Sequence, residues 1–198
     1  GCRFRCCDRA SAALGRFPAQ PLVRYLQPGP MNALVAYNSS VLEKIDRLVV
    51  QLSNEELMRK HDLLFGSSIG QHVRHILEFY ECLLARVNEG VFSYDLRPRN
   101  MLIETEVAAA RASAVRSISL LQALKMDQEL TMESELPGDE RSRQMTTLKR
   151  ELAYLADHGV HHLAMIRIAL EQGLPHVQFP EHLGLSLIHI SEPTRPRL

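Results

Sequence analysis

TTLKRELAYLADHGVHHLAMIRIALEQG, Thr146 to Gly173, decides the fold. Leu148, Leu152, Leu155, Gly159, His162, Ile166 and Leu170 recur at three- and four-residue steps. That spacing lines one face of an amphipathic helix. Thr146 or Thr147 is its expected N-cap, and Gly173 with Pro175 its expected stop. His158 and His162 stand one turn apart, so both imidazoles can reach one ion. A mid-helix glycine costs about 1 kcal/mol relative to alanine. Gly159, between the two, therefore points to a need for room beside a facing helix or a ligand. The spacing is weak on its own and is not the zincin motif, which needs Glu where Gly159 stands. The alternative is a buried histidine pair bonded to backbone or carboxylate. His161 lies about 100° around the helix from His162 and is expected on the surface or as a supporting partner, not on the same ion.

The same periodicity recurs upstream. Met31 to Leu52 carries Leu34, Val35, Leu42, Ile45, Leu48, Val49 and Leu52 at helical spacing. Ser53 to Glu56 reads as a capping box opening a short helix, and residues 61–66 as a loop. Ser67 and Ser68 are N-cap candidates for a second long helix ending near Gly90, with Ile69, Val73, Ile76, Tyr80, Leu83 and Val87 as its stripe. A polar loop follows, and Asn100 caps a third helix to about Lys125. Residues 128–146 break the period around Pro137-Gly138-Asp139, which predicts a short hairpin or extended excursion before the last helix. Four helices of roughly 20–27 residues would each span about 30–40 Å. The expected fold class is all-α, a four-helix bundle.

The ends differ from this body. Residues 1–30 hold five arginines against one aspartate and are broken by Pro18, Pro21, Pro28 and Pro30. They read as translated upstream sequence before Met31, or as a segment with transit-peptide composition. LSLIHISEPTRPRL, from Leu185, resembles a translated sequencing adapter. The expected organisation is a non-native or disordered extension at 1–30, a bundle at 31–184 and a non-native tail at 185–198.

Lys+Arg and Asp+Glu both number 23 in the 198 residues. Within 31–180 the count is 16 basic against 20 acidic, without the basic excess of a nucleic-acid-binding domain. Three of the four cysteines, Cys2, Cys6 and Cys7, fall in the first seven residues, leaving only Cys82 in the body. That is no disulfide framework, so a reducing, cytoplasmic setting is expected. No apolar run approaches the roughly 18–20 residues of a membrane helix.

The second helix adds His72 and His75. One of them with His158 and His162 makes three neutral nitrogen ligands with open positions, the arrangement of catalytic zinc sites. Imidazole also suits Ni, Fe and Cu. His72 is otherwise expected to be partly exposed near the helix start. SIGQHVRHILEF (68–79) together with HGVHHLAMIR (158–167) resembles the DinB/YfiT-like superfamily of metal-binding bundles over residues 31–182. The resemblance implies an up-down-down-up bundle, often dimeric, with His75, His158 and His162 binding a divalent metal (Zn, Ni, Fe or Mn). It also implies a small-molecule substrate, since characterised relatives include transferases and isomerases that use low-molecular-weight thiols. Many members have no known activity, so a non-catalytic metal-binding stress-response bundle is the other expectation.

Tyr94, Arg97 and Arg99 lie in one polar loop. An arginine there could clamp a substrate carboxylate and Tyr94 could orient a substrate; a solvated loop is the plainer reading. Glu78 and Asp157 are candidates for fixing histidine tautomers. Cys82 reads as core rather than nucleophile. Arg74, Arg150 and Arg167 read as surface or interface groups.

Overall fold

Helix boundaries follow the caps. The computed structural model describes residues 31–138 and 140–185. Its long helices are α1 (Met31–Val49), α3 (Ile69–Arg86), α5 (Val107–Ala123) and α6 (Leu148–Gly173), with short α2 (Asn54–Met58) and α4 (Met101–Thr105). Ser53 with Glu56 and Ser68 with Gln71 form complete capping boxes at α2 and α3. Asn100 caps α4, and the Thr147 hydroxyl accepts from the Arg150 amide at the start of α6.

Two expectations are corrected. The third helix is not continuous: Glu106 is extended (φ −127°), and the amide of Val107 is taken by the Asn54 side chain at 2.9 Å. The fold is also not all-helical. β1 (Val91–Phe92), β2 (Glu129–Leu136) and β3 (Glu140–Thr147) form a sheet in the order β1-β2-β3. β2 and β3 are the expected hairpin, antiparallel from Glu129↔Thr147 to Leu136↔Glu140. Gly138 supplies the positive φ (+89°) of the turn. β1 joins β2 in parallel with Val91 opposite Thr131.

Side-chain contacts give the helix directions. Asp46 pairs with Arg111, and Asn54 meets Val107, so α1 and α5 run oppositely. Glu81 meets both Ser113 and Arg116, fastening α3 to α5. His72 meets His162 while Phe79 faces Tyr154, so α3 and α6 are antiparallel. Every expected stripe residue of α3 is buried, as are the apolar stripe residues of α6 and Gly159. Fully burying such a leucine or isoleucine contributes about 1.5–3 kcal/mol. A Cβ on Gly159 would lie 2.8 Å from Val41 Cγ1, so this glycine lets α6 approach α1. The expected extensions lie outside the described residues except for Leu185.

Candidate metal centre

The antiparallel contact of α3 and α6 sets His75 against His158 and His162. One ligand atom from each ring lies within 4.8 Å of the other two. Ring centroids are 5.0 Å apart for His75–His158, 4.7 Å for His75–His162 and 4.6 Å for His158–His162. All three side chains are half-buried. Burial, reinforced by neighbouring positive charge, pushes His75 down to about 4 and His162 to about 3, and lowers His158. The rings are therefore neutral at pH 7, the state a metal ligand requires. His158 Nε2 is buried without a hydrogen-bond partner among the described residues. A buried orphan nitrogen is costly, and a cation among three imidazoles would satisfy it. The residues fit a divalent ion with three protein ligands and open positions.

His72 departs from expectation. It is buried, not partly exposed, and its Nδ1 lies 2.9 Å from His162 Nδ1. It sits in the first turns of α3 on the side that faces α6. Two aromatic residues also belong to the site. Phe79 stacks on His158 at 4.5 Å, and Tyr154 stacks on the same ring at 5.6 Å. Their sequence signal was available: His75 to Phe79 and Tyr154 to His158 are both four-residue steps on one helix face.

The loop residues differ in role. Tyr94 is buried and stacks on Phe79 at 4.7 Å, and its hydroxyl donates to Glu151 Oε2 at 2.9 Å. Burial and the neighbouring carboxylate raise its pKa well above the ordinary tyrosine value. Arg97 places its guanidinium 4.7 Å from the Phe79 ring centroid, and its charge helps to keep His75 and His158 neutral. Arg99 is exposed, in left-handed backbone at φ +49°.

Glu78 does not bond to a histidine. Its Oε1 accepts from the Asn100 amide at 2.7 Å, and its oxygens lie 3.9 Å from Arg74 and Arg97. The carboxylate thus pins the 93–100 loop to α3. Asp157 is exposed, because one residue along the helix turns it away from His158. Arg74 is not a surface group: it is half-buried, with Nε 2.9 Å from Glu104 Oε2. Arg150 pairs with Glu151, and Arg167 with Glu171. Burial pushes the Cys82 thiol up to about 11, which suits packing rather than attack. Cys82 borders a groove of about 770 Å³ with Ala85, Phe92, Leu96 and Leu120; none of the four histidines lines it.

Among the described residues no helix is long and apolar enough to cross a membrane. No curated protein and no solved structure matches the chain. The DinB family model matches residues 28–179, well over half of the sequence and all of the elements that carry the histidines. The chain belongs to the DinB family.

Proposed function

We propose that this chain binds one divalent metal ion through His75, His158 and His162 and uses it to handle a low-molecular-weight thiol. The observation that carries the reading is the convergence of three neutral, half-buried imidazoles from α3 and α6. Zn, Ni, Fe and Mn all fall within what such a donor set accepts. A divalent ion there supplies a positive charge that lowers the pKa of a bound thiol and so makes it nucleophilic at neutral pH.

The chain's own residues would do the rest. Arg97 lies beside the histidines and offers charge for an anionic substrate group, with exposed Arg99 on the same loop. Phe79 and Tyr154 supply flat aromatic surfaces against His158. Tyr94, tied to Glu151, acts by holding Phe79 rather than by touching substrate. The helix contacts support the up-down-down-up bundle of the family, here with a three-stranded sheet beside it, and the working unit would be a cytoplasmic homodimer.

One observation favours a second reading, a metal-binding bundle without catalysis. A groove of about 770 Å³ borders Cys82, and neither His75, His158 nor His162 lines it, so this apolar opening lies away from the three-histidine site. A screen of thiols against alkyl and acyl electrophiles, run on the metal-loaded chain and on Arg97→Gln, separates the two. Thiol-dependent turnover that falls in the variant supports the enzyme. Stoichiometric metal with no turnover on any pair supports the second reading.

A further inference from the structure

His72 lies outside the cluster of His75, His158 and His162, yet it is buried at 9 % exposure and its Nδ1 lies 2.9 Å from His162 Nδ1. A neutral imidazole carries one N–H and one lone pair. Two Nδ1 atoms at this distance are bonded only if one proton lies between them. Between neutral rings this gives two arrangements. In one, His72 donates, and His162 carries its own proton on Nε2, which leaves that nitrogen no lone pair. In the other, His162 donates from Nδ1 and keeps a free lone pair on Nε2.

Only the second arrangement lets His162 serve as a ligand while the contact with His72 persists. His72 Nε2 is buried without a protein partner among the described residues. That orphan exists in both arrangements, so it does not oppose the second. Metal-ligating histidines generally donate their other ring N–H to an acceptor, commonly a carboxylate, carbonyl or water. Here Glu78, the nearby candidate carboxylate on α3, is committed to Asn100, Arg74 and Arg97. His72 occupies the acceptor's place.

We propose that His72 is a positioning residue that accepts the Nδ1 proton of His162 and thereby holds it in the tautomer able to bind metal. The inference rests on the metal-binding reading above. It assigns to His72 a role distinct from ligation, and the two roles respond differently to substitution. Asparagine can present an oxygen near the place of Nδ1 but is a poor metal ligand. Phenylalanine keeps the ring shape and offers no acceptor.

The test is a competition titration of zinc against a chromophoric chelator, on the full chain and on His72→Phe and His72→Asn, with thermal melting of each metal-free protein as the control for folding. His72→Phe is expected to weaken zinc binding by about 10–100-fold. His72→Asn should stay within about threefold of the parent. In parallel, long-range nitrogen–proton NMR of the zinc-loaded parent should show His162 protonated at Nδ1. Equal zinc affinity in the parent and His72→Phe would overturn the proposal while leaving the three-histidine site standing. Equal loss in both variants, with both proteins folded, would make His72 a ligand and overturn it too. A parent that binds no zinc, nickel, iron or manganese would remove the metal-binding reading and this proposal together.

Discussion

Gly159 faces Val41 so closely that a Cβ there would lie 2.8 Å from Val41 Cγ1. The glycine stands between His158 and His162 on α6 and sets how near that helix comes to α1. Alanine would gain about 1 kcal/mol of helix propensity. Overpacking against a stiff, fully buried valine costs about 1–3 kcal/mol. Gly159→Ala should therefore destabilise the fold by a net ~1 kcal/mol, read from urea unfolding. In a Val41→Ala background the same change should become neutral or stabilising. An unchanged penalty in that background would show that Val41 is not the cause.

Gly70 is tighter. A Cβ there would lie 2.1 Å from the carbonyl oxygen of Glu104, a backbone atom that cannot rotate aside. Gly70→Ala should cost about 3 kcal/mol or more, above the usual range for a single substitution. A loss below 1 kcal/mol would mean that α4 moves freely relative to α3.

Glu151 is wholly buried and accepts from the Tyr94 and Thr146 hydroxyls and from Arg150. Hydrogen bonds to a charged group contribute about 1.5–3 kcal/mol, and an orphaned buried hydroxyl costs about 1–3. Glu151→Leu should destabilise by about 2–4 kcal/mol, and Tyr94→Phe, which leaves the carboxylate two partners, by about half as much. Equal effects in equilibrium unfolding would contradict the shared-acceptor role.

The metal-free protein should lose stability in acid. His75, at about 4, and His162, at about 3, sit below their ordinary value of 6.5, chiefly through burial. The unfolded chain therefore takes up protons first as pH falls below 6.5, and stability declines through the window down to about 3. Urea midpoints in chelator at pH 7, 6, 5 and 4 read this directly. His75→Phe/His162→Phe should flatten the slope. The same depressed values mean that protons compete weakly for the site, so bound metal should persist at pH 5.

Much of the fold was legible because α1, α3 and α6 each bury a three-four stripe and open on a recognisable start or cap. The site's histidines were legible for the same reason: His158 and His162 lie on such a face, and His75 is on a stripe-bearing helix. What could not be read depends on distant partners. β1 is two residues whose only signal is β2, some 40 residues on. The break at Glu106 needs Asn54, and Gly70 needs the Glu104 carbonyl. His72 looks like a helix-start histidine until α6 places His162 against it. Glu78 is the converse case, a carboxylate one turn from His75 in sequence that the 93–100 loop claims instead.

Metal content of the full chain, purified without a polyhistidine tag and reconstituted with Zn, Ni, Fe or Mn, tests the three-histidine site most directly. One divalent ion per chain, lost in a folded His75→Ala variant, is the result predicted here. A parent with no stoichiometric ion, or a His75→Ala variant that binds as tightly as the parent, would contradict it.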